Sequence, residues 1–176
     1  SGLADAQQVA CGYHHTFALR SDGTLSGWGW NQYGQITALV GLRDVTRVSC
    51  GGFHAYGLRS DGTLVGWGAG AANTGLDPNY GQSLTPAGLT DVTQVSCGYL
   101  HTYALKNDGT LVGWGNGTTN TGAHSDYGQC ITPSGLPRIT QVACGVLQTF
   151  ALKEDGTLVG WGLNNWGQLN IPAGLT

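Results

Sequence analysis

The chain has 176 residues, a net charge of −3 and only 10% charged residues, which is enough length for one domain with a buried core. Seven basic residues against ten acidic ones provide no positive patch, so nucleic acid and anionic membranes are not expected partners. No apolar run is long enough to span a bilayer. The 31 glycines predict frequent chain reversals and few long helices.

One sequence module recurs four times along the chain. Its third copy reads VSCGYLHTYALKNDGTLVGWG, and the other copies match it closely. A cysteine and a tryptophan keep the same separation in every copy: Cys11 and Trp28, Cys50 and Trp67, Cys97 and Trp114, Cys144 and Trp161. This constant spacing indicates one rigid scaffold. We expect a single repeat domain over residues 1–176, with units at about 2–40, 41–87, 88–134 and 135–176.

Each unit predicts strands in a fixed order. A short strand such as TQVSCG comes first, and the alternating segments HTYALKN and TLVGWGN follow on either side of an Asp-Gly turn. The stretch around ITPSGL is bounded by Pro and Gly, which suits an edge strand or a linker. The predicted fold class is therefore all-β, with small antiparallel sheets that stack on one another.

The Gly-Trp-Gly signature favours a propeller blade over a solenoid coil. We expect the four tryptophans to fill the gaps between neighbouring sheets. The four repeat cysteines lie at matching places on matching strands, too far apart for a disulfide set, and are expected to be small buried residues.

These residues resemble the regulator-of-chromosome-condensation (RCC1-like) repeat family over essentially the whole chain. The stretches that carry the resemblance are CGYLHTYAL, DGTLVGWG, and the NQYGQ and NNWGQ endings of units one and four. Within this family, the sequence looks most like bacterial propeller-type members such as β-lactamase inhibitory proteins. The resemblance implies a β-propeller with four RCC1-like blades per chain, where familiar members have about seven.

The family's usual use implies a non-enzymatic recognition module that binds a protein partner through its loops. A nucleotide-exchange factor for a small GTPase is a less favoured alternative, because the chain has about half the family's ring. No Gly-x-Ser-x-Gly elbow, phosphate loop or His-Glu-x-x-His motif is present. The acidic residues recur mainly in the Asp-Gly turns, so neither an enzyme nor a cofactor is expected.

Four blades leave three modes of closure open. The chain could form a four-bladed ring, contribute one piece of a longer protein, or pair with a second copy. It begins with one half of a GLTDVTQ-type junction and ends with the other half. We therefore favour a homodimer that closes an eight-bladed ring, which is within the usual four-to-eight range.

Units two and three are longer than the other units by eight residues, all located between the tryptophan and the Gly-Gln pair. The two insertions, 69–82 and 116–129, are expected at the same end of adjacent blades, where loops carry binding residues. Their Asn, Asp, His and Tyr side chains would suit a sugar face or a protein epitope, and the candidate ligand-binding residues are Asn73, Asp77, Asn79, Tyr80, Asn120, His124, Asp126 and Tyr127. A carbohydrate-binding lectin is therefore the second function predicted, and solvated loops without a ligand are the alternative.

Asn116, the histidines and Cys130 give weaker indications of function than the insertions do. Asn116 begins an Asn-Gly-Thr sequon and is a candidate glycosylation site if a eukaryote secretes the protein. The equivalent histidines at 15, 54 and 101 have the blade spacing, not a metal-site spacing, so we expect structural hydrogen bonds and no metal site. Cys130 is expected to be an exposed free thiol or an intermolecular link. The charge-poor composition favours an extracellular or secreted location.

Overall fold

The computed structural model describes residues 4–37, 41–123 and 125–175, and these form an all-β array of small sheets. Each unit folds into one three-stranded antiparallel sheet with its second strand in the middle. In chain order the strands are β1 (Ala6–Cys11), β2 (His15–Arg20), β3 (Leu25–Gly29), β4 (Val45–Cys50), β5 (His54–Arg59), β6 (Leu64–Gly68), β7 (Asn73–Leu76), β8 (Asn79–Tyr80), β9 (Val92–Cys97), β10 (His101–Lys106), β11 (Leu111–Gly115), β12 (Ile139–Cys144), β13 (Gln148–Lys153) and β14 (Leu158–Gly162). Strands β7 and β8 form a short hairpin within the insertion of unit two. No helix that could cross a membrane is found among the residues described.

The Asp-Gly turns join the second and third strands of each sheet, as predicted. In unit one, Asp22 Oδ1 accepts hydrogen bonds from the Thr24 backbone N–H at 3.0 Å and the Thr24 hydroxyl at 2.6 Å. The Thr24 hydroxyl is the largest cause that holds the pKa of Asp22 below its ordinary value. Gly23 has a φ of 76°, a left-handed conformation that glycine adopts without steric strain. The same turn recurs at Asp61, Asp108 and Asp155.

The stretch around ITPSGL in unit three does not form a fourth strand. Residues 131–134 are irregular, so this stretch is a linker and not an edge strand. The linker is anchored to the preceding sheet by a hydrogen bond of 2.9 Å between the hydroxyls of Thr132 and Tyr103.

The hydrophobic core lies between consecutive sheets and not within any one of them. Three separate clusters join units one and two, two and three, and three and four. In the middle cluster, the Trp114 ring contacts Tyr56 of the preceding unit edge to face, with ring centroids 5.4 Å apart. The indole N–H of Trp114 donates to the Tyr56 hydroxyl at 3.1 Å and the Gln82 carbonyl at 3.0 Å. The inter-blade role predicted for the tryptophans is thus confirmed for units two, three and four.

The glycine before each tryptophan makes room for an aromatic ring of its own sheet. Gly113 pairs with Tyr103 across β10 and β11, and a Cβ on Gly113 would come within 2.5 Å of the tyrosine ring. The tyrosine therefore lies flat over the neighbouring strand and reaches the next blade, where its hydroxyl accepts a hydrogen bond from Trp161. A side chain at residue 113 would displace this ring from the core.

Two expectations are wrong in unit one. Trp28 is 45% exposed, while Trp67 is 3% exposed. Cys11 is exposed, while Cys97 is buried. The reason is the same for both residues: in units two to four the preceding blade covers these positions, whereas among the described residues no blade covers them in unit one. The predicted eight-bladed homodimer is not shown by a single chain and stays a prediction.

Candidate functional site

The sheet topology places two sets of loops at one end of every blade. Because the strands are antiparallel, the loop between the first and second strands lies beside the loop that follows the third strand. In unit two, the pairing of His54 with Gly68 brings these loops together. We call this end of the array the loop face; it comprises residues 12–14, 30–35, 51–53, 69–82, 98–100, 116–123, 125–129, 145–147 and 163–168.

The two insertions meet in one cleft on the loop face. This cleft has a volume of about 440 Å³, and its wall includes Asn73, Asp77 and Tyr80 from unit two and Asp126 from unit three. The structure thus brings together four of the eight predicted binding residues. Asn116 and three threonines complete the polar wall, at positions 118, 119 and 121.

The other predicted residues have different places. Asn79 supports the unit-two loop, because its Oδ1 accepts the Gly70 backbone N–H at 2.9 Å. Asn120 and Tyr127 belong to the unit-three loop but do not line the cleft. His124 lies outside the described residues.

Asp126 is the most constrained acidic group of the cleft. It is 7% exposed, and its Oδ2 accepts hydrogen bonds from the hydroxyls of Thr119 and Thr121 and from the Thr121 backbone N–H. Burial acts to raise the pKa of Asp126, but the hydrogen bonds from Thr119 and Thr121, with a smaller effect of the Gly128 backbone N–H, hold it below its ordinary value. The buried Oδ1 makes no hydrogen bond of standard geometry to any described residue. The carboxylate is therefore a preformed acceptor in the cleft wall.

A cluster of aromatic rings lies next to the cleft, and sequence reasoning missed it. We call it the aromatic patch and define it as Tyr13, Trp30, Tyr33, Phe53 and Tyr99. Ring centroids are 5.1 Å apart for Tyr13 and Tyr99, 5.4 Å for Phe53 and Tyr99, and 5.3 Å for Trp30 and Tyr33. Tyr13 is 53% exposed and Trp30 is 36% exposed, so the patch presents its rings to solvent.

The negative charge of the cleft wall acts on the aromatic patch. Burial is the first cause that raises the pKa of Tyr99, and the negative charge of Asp77 in the cleft wall is the second. The signal in the sequence was the pair of positions after Cys-Gly, which supplies Tyr13, Phe53 and Tyr99 in units one to three but has no aromatic residue in unit four. These rings are far apart along the chain, and only the stacking of blades brings them together.

The described residues of the loop face include acidic side chains but no lysine or arginine. The acidic ones are Asp77 and Asp126. The second strands end instead in Arg20, Arg59, Lys106 and Lys153, at the Asp-Gly end of each sheet. The topology therefore separates the basic residues from the loop face.

The equivalent histidines connect neighbouring blades. His54 Nε2 is 2.8 Å from the Thr102 hydroxyl, and His101 Nε2 is 3.1 Å from the Thr149 hydroxyl. Burial, the first cause in each case, lowers the pKa of His54 and that of His101 to about 3. Within the described ranges, no group of His, Cys, Asp or Glu side chains could hold a metal ion. His54 and His101 are thus part of the joints between blades, each with a partner on the second strand of the next blade.

The prediction of an exposed thiol at residue 130 is wrong. Cys130 is 9% exposed, and its thiol lies 3.1 Å from the Asn116 carbonyl and 3.3 Å from the Trp114 carbonyl. Ser83 has the same role in unit two, where its hydroxyl donates to the Ala69 carbonyl. The thiol thus connects the end of the insertion to the blade that carries it, and the residue is buried at this contact.

Burial of Asn116 opposes the glycosylation predicted at this residue. Asn116 is 7% exposed, and its Oδ1 accepts the Gly117 backbone N–H at 2.8 Å. The folded protein therefore offers no accessible acceptor amide at this sequon, and a glycan would have to be attached before the loop folds.

Comparison with known proteins agrees with this architecture. The family model described as "Regulator of chromosome condensation (RCC1) repeat" matches four times, over residues 6–35, 45–82, 92–120 and 139–168. The ultraviolet-B receptor UVR8 of Arabidopsis thaliana is 59% identical over 29 residues, which are 16% of this chain and 7% of UVR8.

Two solved structures give the extent of the fold similarity. Yeast RCC1 (Prp20), solved bound to Kap60, superimposes with a TM-score of 0.70 at 20% identity, over 93% of this chain and 45% of that one. Human WBSCR16 superimposes with a TM-score of 0.68 at 27% identity, over 89% of this chain and 47% of that one. The chain thus spans about half the length of these structures. With four matches that cover most of its length, the chain belongs to the RCC1 repeat family and has the RCC1-like propeller fold.

Proposed function

We propose that this chain is a non-enzymatic protein-binding module, and that the loop face binds a segment rich in apolar and basic side chains. RCC1-like propellers typically serve protein interaction or GTPase regulation and are mostly non-enzymatic. The observation that carries the proposal is the aromatic patch. Exposed tryptophan and tyrosine side chains in contact with one another are the residues that dominate protein interfaces.

The geometry of the patch supports a binding role. Trp30 contacts both Tyr33 and Phe53 edge to face, and Phe53 contacts Tyr99. Each ring is held by its neighbours, so little conformational entropy is lost when a partner binds. A partner would therefore gain large apolar contacts at low entropic cost.

The charge of the loop face favours a basic partner. The negative charge of Asp77 acts on Tyr99, and the described residues of the loop face include no lysine or arginine that could neutralise it. A guanidinium or ammonium group placed over the Tyr99 ring would combine a cation–π contact with attraction to the Asp77 carboxylate. The segment bound is therefore expected to carry at least one basic residue next to apolar ones.

The test uses a phage-displayed library of random peptides selected on the immobilised protein. We expect enriched peptides to contain arginine or lysine with aromatic or aliphatic residues. The double variant Tyr13→Ala/Trp30→Ala should lose at least tenfold in affinity for them. The matched control Ile131→Ala, at a 46% exposed position outside the patch, should bind normally. Enrichment of acidic peptides, or equal binding by the double variant, would contradict the proposal.

The cleft between the insertions favours a lectin as the second candidate function. It places the Asp126 carboxylate, the Asn73 amide and the Tyr80 ring on one wall, a combination that suits hydrogen bonds to sugar hydroxyls with stacking on a sugar face. A glycan array tests this function. Binding that a simple sugar inhibits, and that Asp126→Asn abolishes, would establish the lectin; a clean negative leaves the protein-binding function alone.

Nucleotide exchange on a small GTPase is a third and weaker proposal, because the chain spans about half of its structural relatives. Failure to accelerate nucleotide release from a GTPase would dispose of it. An extracellular location and a homodimer are further proposals. The location rests on composition alone.

A further inference from the structure

The cleft between the two insertions has two carboxylates in its wall and, among its described lining residues, no basic side chain. We propose that this cleft binds a protonated amino sugar, whose ammonium group pairs with the Asp126 carboxylate and whose hydroxyls contact the polar wall. The inference rests on the lectin candidate, because both use the same cleft, and it adds the charge of the sugar. The protein-binding function of the aromatic patch does not depend on it.

Asp126 has one carboxylate oxygen that the described residues do not satisfy. The residue is 7% exposed, and its Oδ2 accepts the hydroxyls of Thr119 and Thr121. Its Oδ1 is buried and makes no hydrogen bond of standard geometry to any described residue. A buried carboxylate oxygen without a donor is unfavourable, and a donor from a ligand relieves that cost. Because Asp126 lines the cleft, a molecule in the cleft is the source of donor that the geometry favours.

The segment that carries Asp126 is held in place by its own backbone. The Asp126 N–H donates to the Ala123 carbonyl at 2.9 Å, and the Asp126 carbonyl accepts the Gly122 N–H at 2.9 Å. The Thr121 N–H adds a hydrogen bond of 3.2 Å to Oδ2. The carboxylate therefore keeps its position without a ligand, and little reorganisation is needed when an ammonium group binds.

The charge of the cleft wall favours a cation. Asp77 of the unit-two insertion is exposed and lines the same cleft as Asp126. The basic residues nearest in sequence to the two insertions are Arg59 and Lys106, which end the second strands at the opposite end of their sheets. Two carboxylates without a basic neighbour among the described lining residues attract positive charge. The acidic side chains do not form a metal-binding group within the described ranges, so we infer an ammonium group that hydrogen-bonds to a carboxylate.

The rest of the cleft wall suits the hydroxylated ring of a sugar. Tyr80 contributes an aromatic ring, and burial is the first cause and the charge of Asp77 the second that raise the pKa of its hydroxyl. Asn73 Oδ1 accepts the Gly75 N–H at 3.1 Å, which leaves the amide N–H groups of Asn73 to donate to a ligand. Thr118 adds an exposed hydroxyl. The cleft volume of about 440 Å³ is typical of a small-molecule site. An alkylamine without hydroxyls would leave these polar groups without partners.

The experiment titrates the isotope-labelled 176-residue protein with four small molecules and follows its backbone amides by NMR. D-glucosamine carries both the ammonium group and the hydroxyls. N-acetyl-D-glucosamine and D-glucose lack the charge, and cyclohexylamine lacks the hydroxyls. We expect shifts at the amides of Thr121 and Gly128, and an affinity for D-glucosamine that exceeds the affinity for each of the others by about tenfold.

Variants of the two carboxylates test their roles separately. Asp126→Asn should weaken the binding of D-glucosamine by about tenfold and remove its advantage over N-acetyl-D-glucosamine. Asp77→Asn, at an exposed position, should weaken it by about threefold and leaves the hydrogen bonds of Asp126 unchanged. The matched control Asp5→Asn also removes one negative charge, at an exposed position whose φ of 65° asparagine tolerates, and it should bind normally. The amide spectrum of each variant verifies that it is folded.

The outcomes separate this inference from the proposed functions. Equal affinity for D-glucosamine, N-acetyl-D-glucosamine and D-glucose would overturn the inference and leave the lectin candidate standing. Cyclohexylamine that binds as tightly as D-glucosamine would overturn the assignment to a sugar. No binding of any of the four molecules would overturn both the inference and a lectin for these sugars, while the peptide selection would still decide the protein-binding function of the aromatic patch.

Discussion

Acidification should unfold this protein through its inter-blade histidines. His54 and His101 are buried and neutral in the fold, each with a pKa of about 3 against an ordinary value of 6.5. Between these two pH values the unfolded chain binds protons that the folded chain does not, so the free energy of unfolding falls as the pH is lowered. Above pH 6.5 the histidines add no pH dependence.

The magnitude follows from the width of this window. At pH 5, about 1.5 pH units below the unfolded value, each histidine removes roughly 2 kcal/mol of stability, and the pair about 4 kcal/mol. This is a large part of the 5–15 kcal/mol typical of a folded domain. The midpoint of denaturation should therefore drop steeply between pH 7 and pH 5.

The assay is urea denaturation at a series of pH values, followed by tryptophan fluorescence. Unit four supplies a natural control, because Gln148 stands where the other units have histidine. The variant His101→Gln should reduce the slope of stability against pH, because it removes the contribution of one buried histidine. A slope below 0.5 kcal/mol per pH unit in the wild type would refute the reasoning.

Three further outcomes are expected. Ala55→Thr should stabilise the protein by about 1 kcal/mol in urea denaturation, because it would give His15 the partner that Thr102 provides for His54. His15 is buried without a side-chain hydrogen bond. A loss of stability would show that the site cannot accept the larger side chain. Trp114→Phe should destabilise the protein by roughly 1–3 kcal/mol in the same assay, because it removes the N–H that donates to the Tyr56 hydroxyl and the Gln82 carbonyl. Unchanged stability would contradict the role of this N–H in joining the blades. Cys130 should react with a thiol reagent only when the protein unfolds, because burial raises its pKa well above the ordinary value; peptide mapping that finds rapid labelling of the folded protein would contradict this.

Much of the scaffold could be predicted without a structure because its determinants are local. A turn of Asp-Gly-Thr closes through contacts two residues apart, such as Asp22 with Thr24, so each hairpin is encoded in a few adjacent positions. The alternation of apolar and polar residues in the segments that form β10 and β11 predicts extended strands. The four-fold repetition then predicts stacking, since no single small sheet can bury both of its faces.

The candidate site was predictable only in part. The two insertions could be singled out from the sequence, and the structure brings Asn73, Asp77 and Tyr80 together with Asp126 in one cleft. The role of Asn79 in holding Gly70 was not predictable, because it depends on the path of the loop.

The sequence by itself determined the number of units, the order of strands in each unit and the class of fold, because these depend on residue patterns within one module. The tertiary structure decided what depends on how the modules are rotated against one another. It brought Tyr13 and Tyr99 into contact from different blades, buried Cys130 beneath an insertion, and left Trp28 exposed at the end of the array although its sequence context is the same as that of Trp67. Identical motifs differ in burial because burial is decided by the neighbouring blade and not by the motif.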